Sequence, residues 1–260
     1  PISKPILDKK ESDTASQVIN SGWVTQGPKV KEFEENFSKY VGSKHACAVS
    51  SCTTALHLAL KAVGVKPGDI VITVSHSYMA TANAIRHCGA EPYFIDIDKQ
   101  TFNMCPNALK IAINSDFKQK GDQLYCSITQ ELESGESPLV YVKPEKQGRL
   151  AAILVVHQMG MPCKLLELCD IAKNINVPVI EDAACAIGSK YELPNGQWQK
   201  VGAPYADIAC FSFHPRKVLT TGDGGMLTTN NSNYDQEFRL MRQHGMNISD
   251  VMRHQSSKVL

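Results

Sequence analysis

Almost no net charge, no membrane-length apolar run and no paired-cysteine motif: each absence in this sequence removes a class of function. Lys and Arg number 27 against 26 Asp and Glu, a formal charge of +1 over 260 residues. Such a balance gathers neither nucleic acid nor an anionic membrane, so neither is expected as a partner. No apolar run approaches the roughly 20 residues that a spanning helix needs. No apolar h-region follows Pro1-Ile2-Ser3-Lys4, so a secretory signal is not expected and a cytoplasmic location is. The nine cysteines are odd in number, scattered and free of any C-x-x-C pair. That fits reduced thiols better than a disulfide scaffold or zinc site, and no metal is expected. Cys47 and Cys210 lie inside apolar runs and read as small core residues. G-x-x-x-x-G-K-[ST] is also missing, so the chain has no P-loop.

What remains is ordinary for a globular protein, with 43% apolar and 20% charged residues. The length allows one large domain or two small ones with a real core. Helix and strand patterns alternate along it. Val30, Phe33, Phe37 and Tyr40 mark an amphipathic helix closed by Gly42. Strands are expected at 45–49, 70–74, 91–96, 151–156, 177–180, 207–211 and 225–229, and helices at 55–63, 79–88, 106–114, 165–175 and 231–242. That alternation argues an α/β fold with a mostly parallel central sheet. Residues 115–150 break the pattern: they are polar, with Glu131, Glu133 and Glu136. Here 124–128 and 139–142 are expected to pair as a hairpin, in an excursion from the sheet. Trp23, in the glycine-rich loop 21–28, either lines a pocket or packs the loop onto the body.

In a parallel sheet, ligands lie at the carboxyl ends of strands, and four features fall there. Ser50-Ser51-Cys52-Thr53-Thr54 separates a strand from a helix N-terminus. It is either an ordinary Ser/Thr cap or an anion cradle of free N–H groups. Tyr78 follows the strand 70–74. Glu181-Asp182 ends the strand 177–180, where Asp182 either caps a turn or faces a ligand. Lys217 sits in the polar loop between the strands 207–211 and 225–229. Alone it is either a solvated loop lysine or an amine poised for Schiff-base chemistry. His157, at another strand end, reads as a satisfied structural group. An anion cradle, an aromatic face, a carboxylate and a lysine are the parts that pyridoxal phosphate requires.

Seven segments in register closely resemble the DegT/DnrJ/EryC1/StrS family of sugar aminotransferases, of the aspartate-aminotransferase fold (type I). The likeness covers roughly residues 23–245. G-P-x-V-x-x-F-E stands as Gly27-Pro28-Lys29-Val30-Lys31-Glu32-Phe33-Glu34. S-S-G-T-A-A-L stands as Ser50-Ser51-Cys52-Thr53-Thr54-Ala55-Leu56, and P-G-D-E-V-I as Pro67-Gly68-Asp69-Ile70-Val71-Ile72. T-F-x-A-T matches Ser77-Tyr78-Met79-Ala80-Thr81, and V-H-x-x-G-x-P matches residues 156–162. E-D-A-A-Q matches Glu181-Asp182-Ala183-Ala184-Cys185. F-S-F-x-x-x-K and T-T-G-E-G-G match Phe211 through Lys217 and Thr220 through Gly225.

The resemblance implies a three-layer α/β sandwich and a pyridoxal 5′-phosphate enzyme. Lys217 would carry the cofactor covalently and then move protons. Asp182 would pair with the pyridine nitrogen, Tyr78 would stack on one ring face and Ala184 would pack on the other. Thr53, Thr54 and Ser212 would bind the phosphate. Cys185 would stand at the ring hydroxyl. The implied reaction moves an amino group, from glutamate, to a keto group of a nucleotide-linked deoxysugar, for lipopolysaccharide or other glycoconjugates. A homodimer sharing its active sites is implied too. The family's dehydratase branch replaces the lysine with His, so Lys217 argues against it. A regulatory protein of the same fold, or an inactive fragment, is the other alternative.

Three departures stand out. Cys52 replaces the family's Gly, so that turn must manage without it. Cys185 replaces its Gln, and a thiol is a weaker donor. The sequence also stops before the family's Y-N-x-R-x-x-D-I-Q-A-A segment and small C-terminal domain. The organisation expected is therefore an N-terminal segment 1–22, a large cofactor-binding domain 23–245 holding the excursion 115–150, and residues 246–260 as the start of a C-terminal region. Whether 260 residues act alone stays open.

Overall fold

The computed structural model describes residues 4–133, 135–203 and 205–246; the expected C-terminal start lies outside them, apart from Met246. In chain order the strands are β1 (His45–Val49), β2 (Ile70–Val74), β3 (Glu91–Ile95), β4 (Phe117–Lys120), β5 (Gln123–Cys126), β6 (Leu150–Val156), β7 (Val179–Asp182), β8 (Lys190–Glu192), β9 (Trp198–Lys200), β10 (Ile208–Ser212) and β11 (Gly225–Thr229). The helices are α1 (Lys9–Asn20), α2 (Pro28–Val41), α3 (Cys52–Ala62), α4 (Met79–His87), α5 (Pro106–Asp116), α6 (Thr129–Leu132), α7 (Leu165–Asn174) and α8 (Ser232–Arg242).

Seven strands form one sheet in the order β1-β11-β10-β7-β6-β2-β3. The run from β10 to β3 is parallel, while β11 is antiparallel to both its neighbours. The sheet is mostly parallel, as expected. Every residue of β2 and β6 is buried, as Ile-Val-Ile-Thr-Val and Leu-Ala-Ala-Ile-Leu-Val-Val require of strands covered on both faces.

Strand alternation decides what each layer meets. Asp182 of β7 and Cys210 of β10 are register partners and share a face. Asp182 reaches Thr81 of α4 and lies near Cys52 of α3, so that face carries α3 and α4. Phe211, one residue on, points the other way and meets Phe37 of α2 at 5.1 Å. α2 ends where its sequence says it should, with Gly42 in the left-handed region at φ 91°. α7 lies on the α2 face farther along, where its Cys169 is near enough to Glu181 to feel its charge. Helices on both faces make three layers.

The excursion differs from the expected pairing. β5 pairs with β4, not with 139–142. Gly121-Asp122 turns the chain back directly after Lys120, so the nearest partner takes the edge. Pro138 lacks the N–H that a ladder needs and instead opens a 3-10 turn, Pro138–Tyr141, capped by Ser137. Leu139 is fully buried there, and Gln147 donates to its carbonyl at 2.8 Å. Ser137 donates to Glu91 at the start of β3, which ties the segment to the sheet. A second small hairpin, β8–β9, was not expected, although Asn195-Gly196 between its strands is a recognised turn signal. Trp23 packs within its own loop: a Cβ on Gly27 would lie 3.2 Å from its ring.

Candidate active site

One cavity of about 420 Å³ opens where the carboxyl ends of β2, β6, β7 and β10 meet the N-terminus of α3. Its walls include Thr53, Tyr78, Asp182, Ala184, Cys185, Ser212 and Lys217. Seven of the eight residues singled out from the sequence therefore converge, from segments up to 164 positions apart. Thr54 does not line it. Its N–H is donated to Ser51 Oγ at 3.1 Å, and its hydroxyl meets Ser50 and Ser51 at 3.0 and 3.1 Å. A phosphate in this cavity would thus meet Thr53 before Thr54, which serves the cap.

The cradle forms for local reasons. Ser51 is extended, caps α3 through its side chain and releases the helix with its first amides ahead of it. Cys52 is the first helical residue and has no positive φ, so glycine is not required at that position. The glycine that matters is Gly225, across the sheet. A Cβ there would lie 2.4 Å from the Ser51 carbonyl carbon and oxygen and 2.7 Å from Cys52 N. The β11 backbone can press against the start of α3 only without a side chain.

Asp182 is buried, and burial pushes its carboxyl pKa up. Two donors oppose that: Thr81 Oγ1 at 2.8 Å from Oδ2, and the Ala184 amide at 3.2 Å from Oδ1. The Cys52 thiol lies 3.6 Å from the Cys210 carbonyl. Burial, then Asp182 and Cys210, drive its pKa well up, so it stays a neutral thiol.

Lys217 Nζ is 3.1 Å from Cys185 Sγ. Its loop is held by Thr220 donating to the Phe213 carbonyl at 2.8 Å and by the Phe213 amide on Gly224. Tyr78, at the N-cap of α4, is 76% exposed, and Met159, also on the wall, is 86% exposed. Met159 sits at φ 50°, a backbone region that L side chains rarely adopt. Sequence reasoning missed it; the adjacent Gly160, at φ 86°, was the available sign of an unusual turn.

His157 and Glu181 are both fully buried and 2.8 Å apart, on the sheet face opposite Asp182. The Cys163 amide donates to His157 Nδ1, so the ring proton sits on Nε2 and goes to Glu181. This is the satisfied structural histidine expected from the sequence. All nine cysteines are free thiols. Among the described residues, no cluster of three His, Cys, Asp or Glu could hold a metal, and no helix is long and apolar enough to cross a membrane.

The arrangement suits pyridoxal phosphate on its donor chemistry. A helix N-terminus that lets backbone approach closely offers an anion seat. A buried carboxylate offers a partner for a ring cation, and an accessible primary amine faces the same space. The volume lies within the range of cofactor pockets.

Comparison with known proteins agrees. The model of the DegT/DnrJ/EryC1/StrS aminotransferase family matches residues 5–121 and 136–259; the unmatched residues between fall inside the excursion. The spore coat polysaccharide biosynthesis protein SpsC of Bacillus subtilis (strain 168) is 36% identical over 257 residues, 99% of this chain and 56% of that protein. GDP-perosamine synthase of Caulobacter vibrioides is 35% identical over 246 residues, 94% of this chain and 56% of its own length. Among solved structures, Helicobacter pylori PseC, an aminotransferase involved in the biosynthesis of pseudoaminic acid, matches with TM-score 0.73 at 27% identity, over 96% of this chain and 57% of its own. NtdA from Bacillus subtilis, solved with bound cofactor PMP, matches with TM-score 0.74 at 28% identity, over 96% and 49%. The chain spans about half the length of the curated relatives it matches.

Proposed function

The chain belongs to the DegT/DnrJ/EryC1/StrS aminotransferase family, and from that premise we propose that it serves a pyridoxal-phosphate-dependent aminotransferase acting on a nucleotide-linked keto-sugar. Glutamate is the proposed amino donor, and the amino sugar goes to a surface polysaccharide or another glycoconjugate. The convergence of Lys217, Asp182 and the α3 N-terminus on one cavity carries this reading. SpsC and GDP-perosamine synthase support the sugar class by their names. The cytoplasm is the proposed place of this work.

Bound pyridoxal phosphate supplies an aldehyde for amine exchange and a cationic ring that draws electrons from the reacting carbon. Lys217 would hold the cofactor through its amine, and the same amine, when free, would move a proton at the reacting carbon. Asp182, when ionised, would keep the ring nitrogen protonated. The first amides of α3, Thr53 and Ser212 would receive the phosphate, while Thr54 braces the cap. Tyr78 and Ala184 would flank the ring, and Cys185 would serve its hydroxyl. Tyr78 and Met159, both on the cavity wall, leave apolar surface exposed. A second subunit closing over it, in a homodimer that shares its active sites, would exclude water from the reaction.

The test is an absorbance spectrum of the protein with pyridoxal phosphate, before and after glutamate. The reading expects a visible band that bleaches with glutamate and returns with a keto-sugar nucleotide. A folded protein that gives no visible band rejects it.

A further inference from the structure

The motif Ser77-Tyr78-Met79-Ala80-Thr81 puts one aromatic at the cavity, but its Ser and Thr hydroxyls make a separate structure. Thr81, on the first turn of α4, is buried to 1% exposure. Its Oγ1 stands 2.8 Å from Asp182 Oδ2 and 2.6 Å from Ser77 Oγ. An ionised carboxylate only accepts, so Thr81 gives its single proton to Asp182, and its oxygen accepts from Ser77. Ser77 itself lines the cavity. A two-hydroxyl relay therefore runs from the cavity wall to Oδ2 of the carboxylate. Oδ1 takes the Ala184 amide.

We infer that Thr81 is a positioning residue: fixed by Ser77, its hydroxyl holds the Asp182 carboxylate ionised and in one orientation, ready for a protonated ring nitrogen. The inference rests on the aminotransferase reading above. A rotating or protonated carboxyl would accept that nitrogen's proton poorly, and burial alone favours the protonated form. Of the groups opposing burial, the Thr81 donor is foremost, ahead of the Ala184 amide and Lys217. The other groups facing Asp182 are the thiols of Cys52 on α3 and Cys210 on β10. None of these changes when Thr81 alone is replaced.

Thr81→Val removes the hydroxyl at nearly constant shape, and Thr81→Ser restores it. Two measurements on the intact protein decide the matter. The first is pyridoxal phosphate affinity as a function of pH. A hydrogen bond to a buried charge predicts roughly 10-fold weaker binding in Thr81→Val. It also moves the acid-side loss of binding up by about one pH unit. Thr81→Ser should recover both. The second is the infrared carboxyl band of Asp182 without cofactor, assigned through Asp182→Asn; in Thr81→Val it should protonate at higher pH. Equal loss of affinity at every pH, no recovery in Thr81→Ser, or an unmoved carboxyl titration would each overturn the inference. Should Thr81→Val not fold, Ser77→Ala is expected to shift the same titration in the same direction by less, and no shift overturns it. Wild-type protein that binds no pyridoxal phosphate rejects the functional reading instead, while the carboxyl titration still decides the role of Thr81.

Discussion

The amine of Lys217 stands 3.1 Å from the thiol of Cys185, joining two loops 32 residues apart in sequence. Both groups line the cavity that Asp182 also lines. Lys217→Arg keeps the positive charge but removes the nucleophile, because a guanidinium does not form the covalent link. The variant should bind pyridoxal phosphate without the visible band. Loss of its acid–base role should slow amine transfer by roughly 10²–10⁴-fold. Single-turnover absorbance with glutamate measures both.

Asp182→Asn separates stability from cofactor binding. Burial raises the Asp182 pKa in the folded state, so the folded protein holds that proton more tightly than the unfolded chain does. The resulting stability is present in full below the unfolded value of about 4 and is lost as pH rises through the folded value. At neutral pH the buried charge is therefore a cost. Without cofactor, Asp182→Asn should melt at or above the wild-type temperature near neutrality, with the gap closing toward acid. Its affinity for pyridoxal phosphate should fall. Thermal melts across pH, with and without cofactor, test both halves.

Gly225→Ala tests the contact between β11 and α3. The three atoms nearest the added methyl would be backbone atoms of Ser51 and Cys52, which cannot swing aside. Overpacking of this kind costs about 1–3 kcal/mol. Because the displaced element is the phosphate seat, affinity for pyridoxal phosphate should drop along with stability. Urea unfolding and a cofactor titration read the two effects.

Glu34→Ala tests the edge of the fold, away from the cavity. Glu34, buried on α2, accepts from Arg239 at 2.9 Å, from Arg242 and from the Ala48 amide at 2.9 Å. Removing it strands the guanidinium of Arg242, which is 11% exposed, and frees the joint between α2, β1 and α8. The loss should be about 3–5 kcal/mol in urea unfolding. Adding Arg242→Met should recover part of it, because the stranded charge goes too.

Helix and strand types along the body were legible because burial imposes simple periods. The all-apolar runs of β2 and β6 have one environment available to them, and Gly42 marks a helix end that only a left-handed residue can close. Boundaries were less legible. α3 starts at Cys52, three residues before the Ala/Leu-rich run, since a capping serine decides a helix start more firmly than apolar content does. The excursion misled because Leu124–Ile128 and Leu139–Val142 have similar strand-like composition. What separated them was a two-residue turn beside one and a proline before the other.

The sequence by itself determined the alternation of helix and strand, the family motifs, and the side chains able to carry the chemistry: a lysine, a carboxylate, hydroxyls and an aromatic. Periodicity and functional-group chemistry are local properties, and a linear string records them. Tertiary structure alone decided which of those groups meet. Asp182 is aligned with Cys210, capped by Thr81 and buried only because β7 lies between β6 and β10 under α3 and α4. Thr54 turns to the cap while Thr53 faces the cavity. Gly225 matters through a backbone more than 170 residues away. Burial, register and close approach come from elements that are neighbours in space and strangers in sequence, and they set the protonation and aim of the groups that the string merely names.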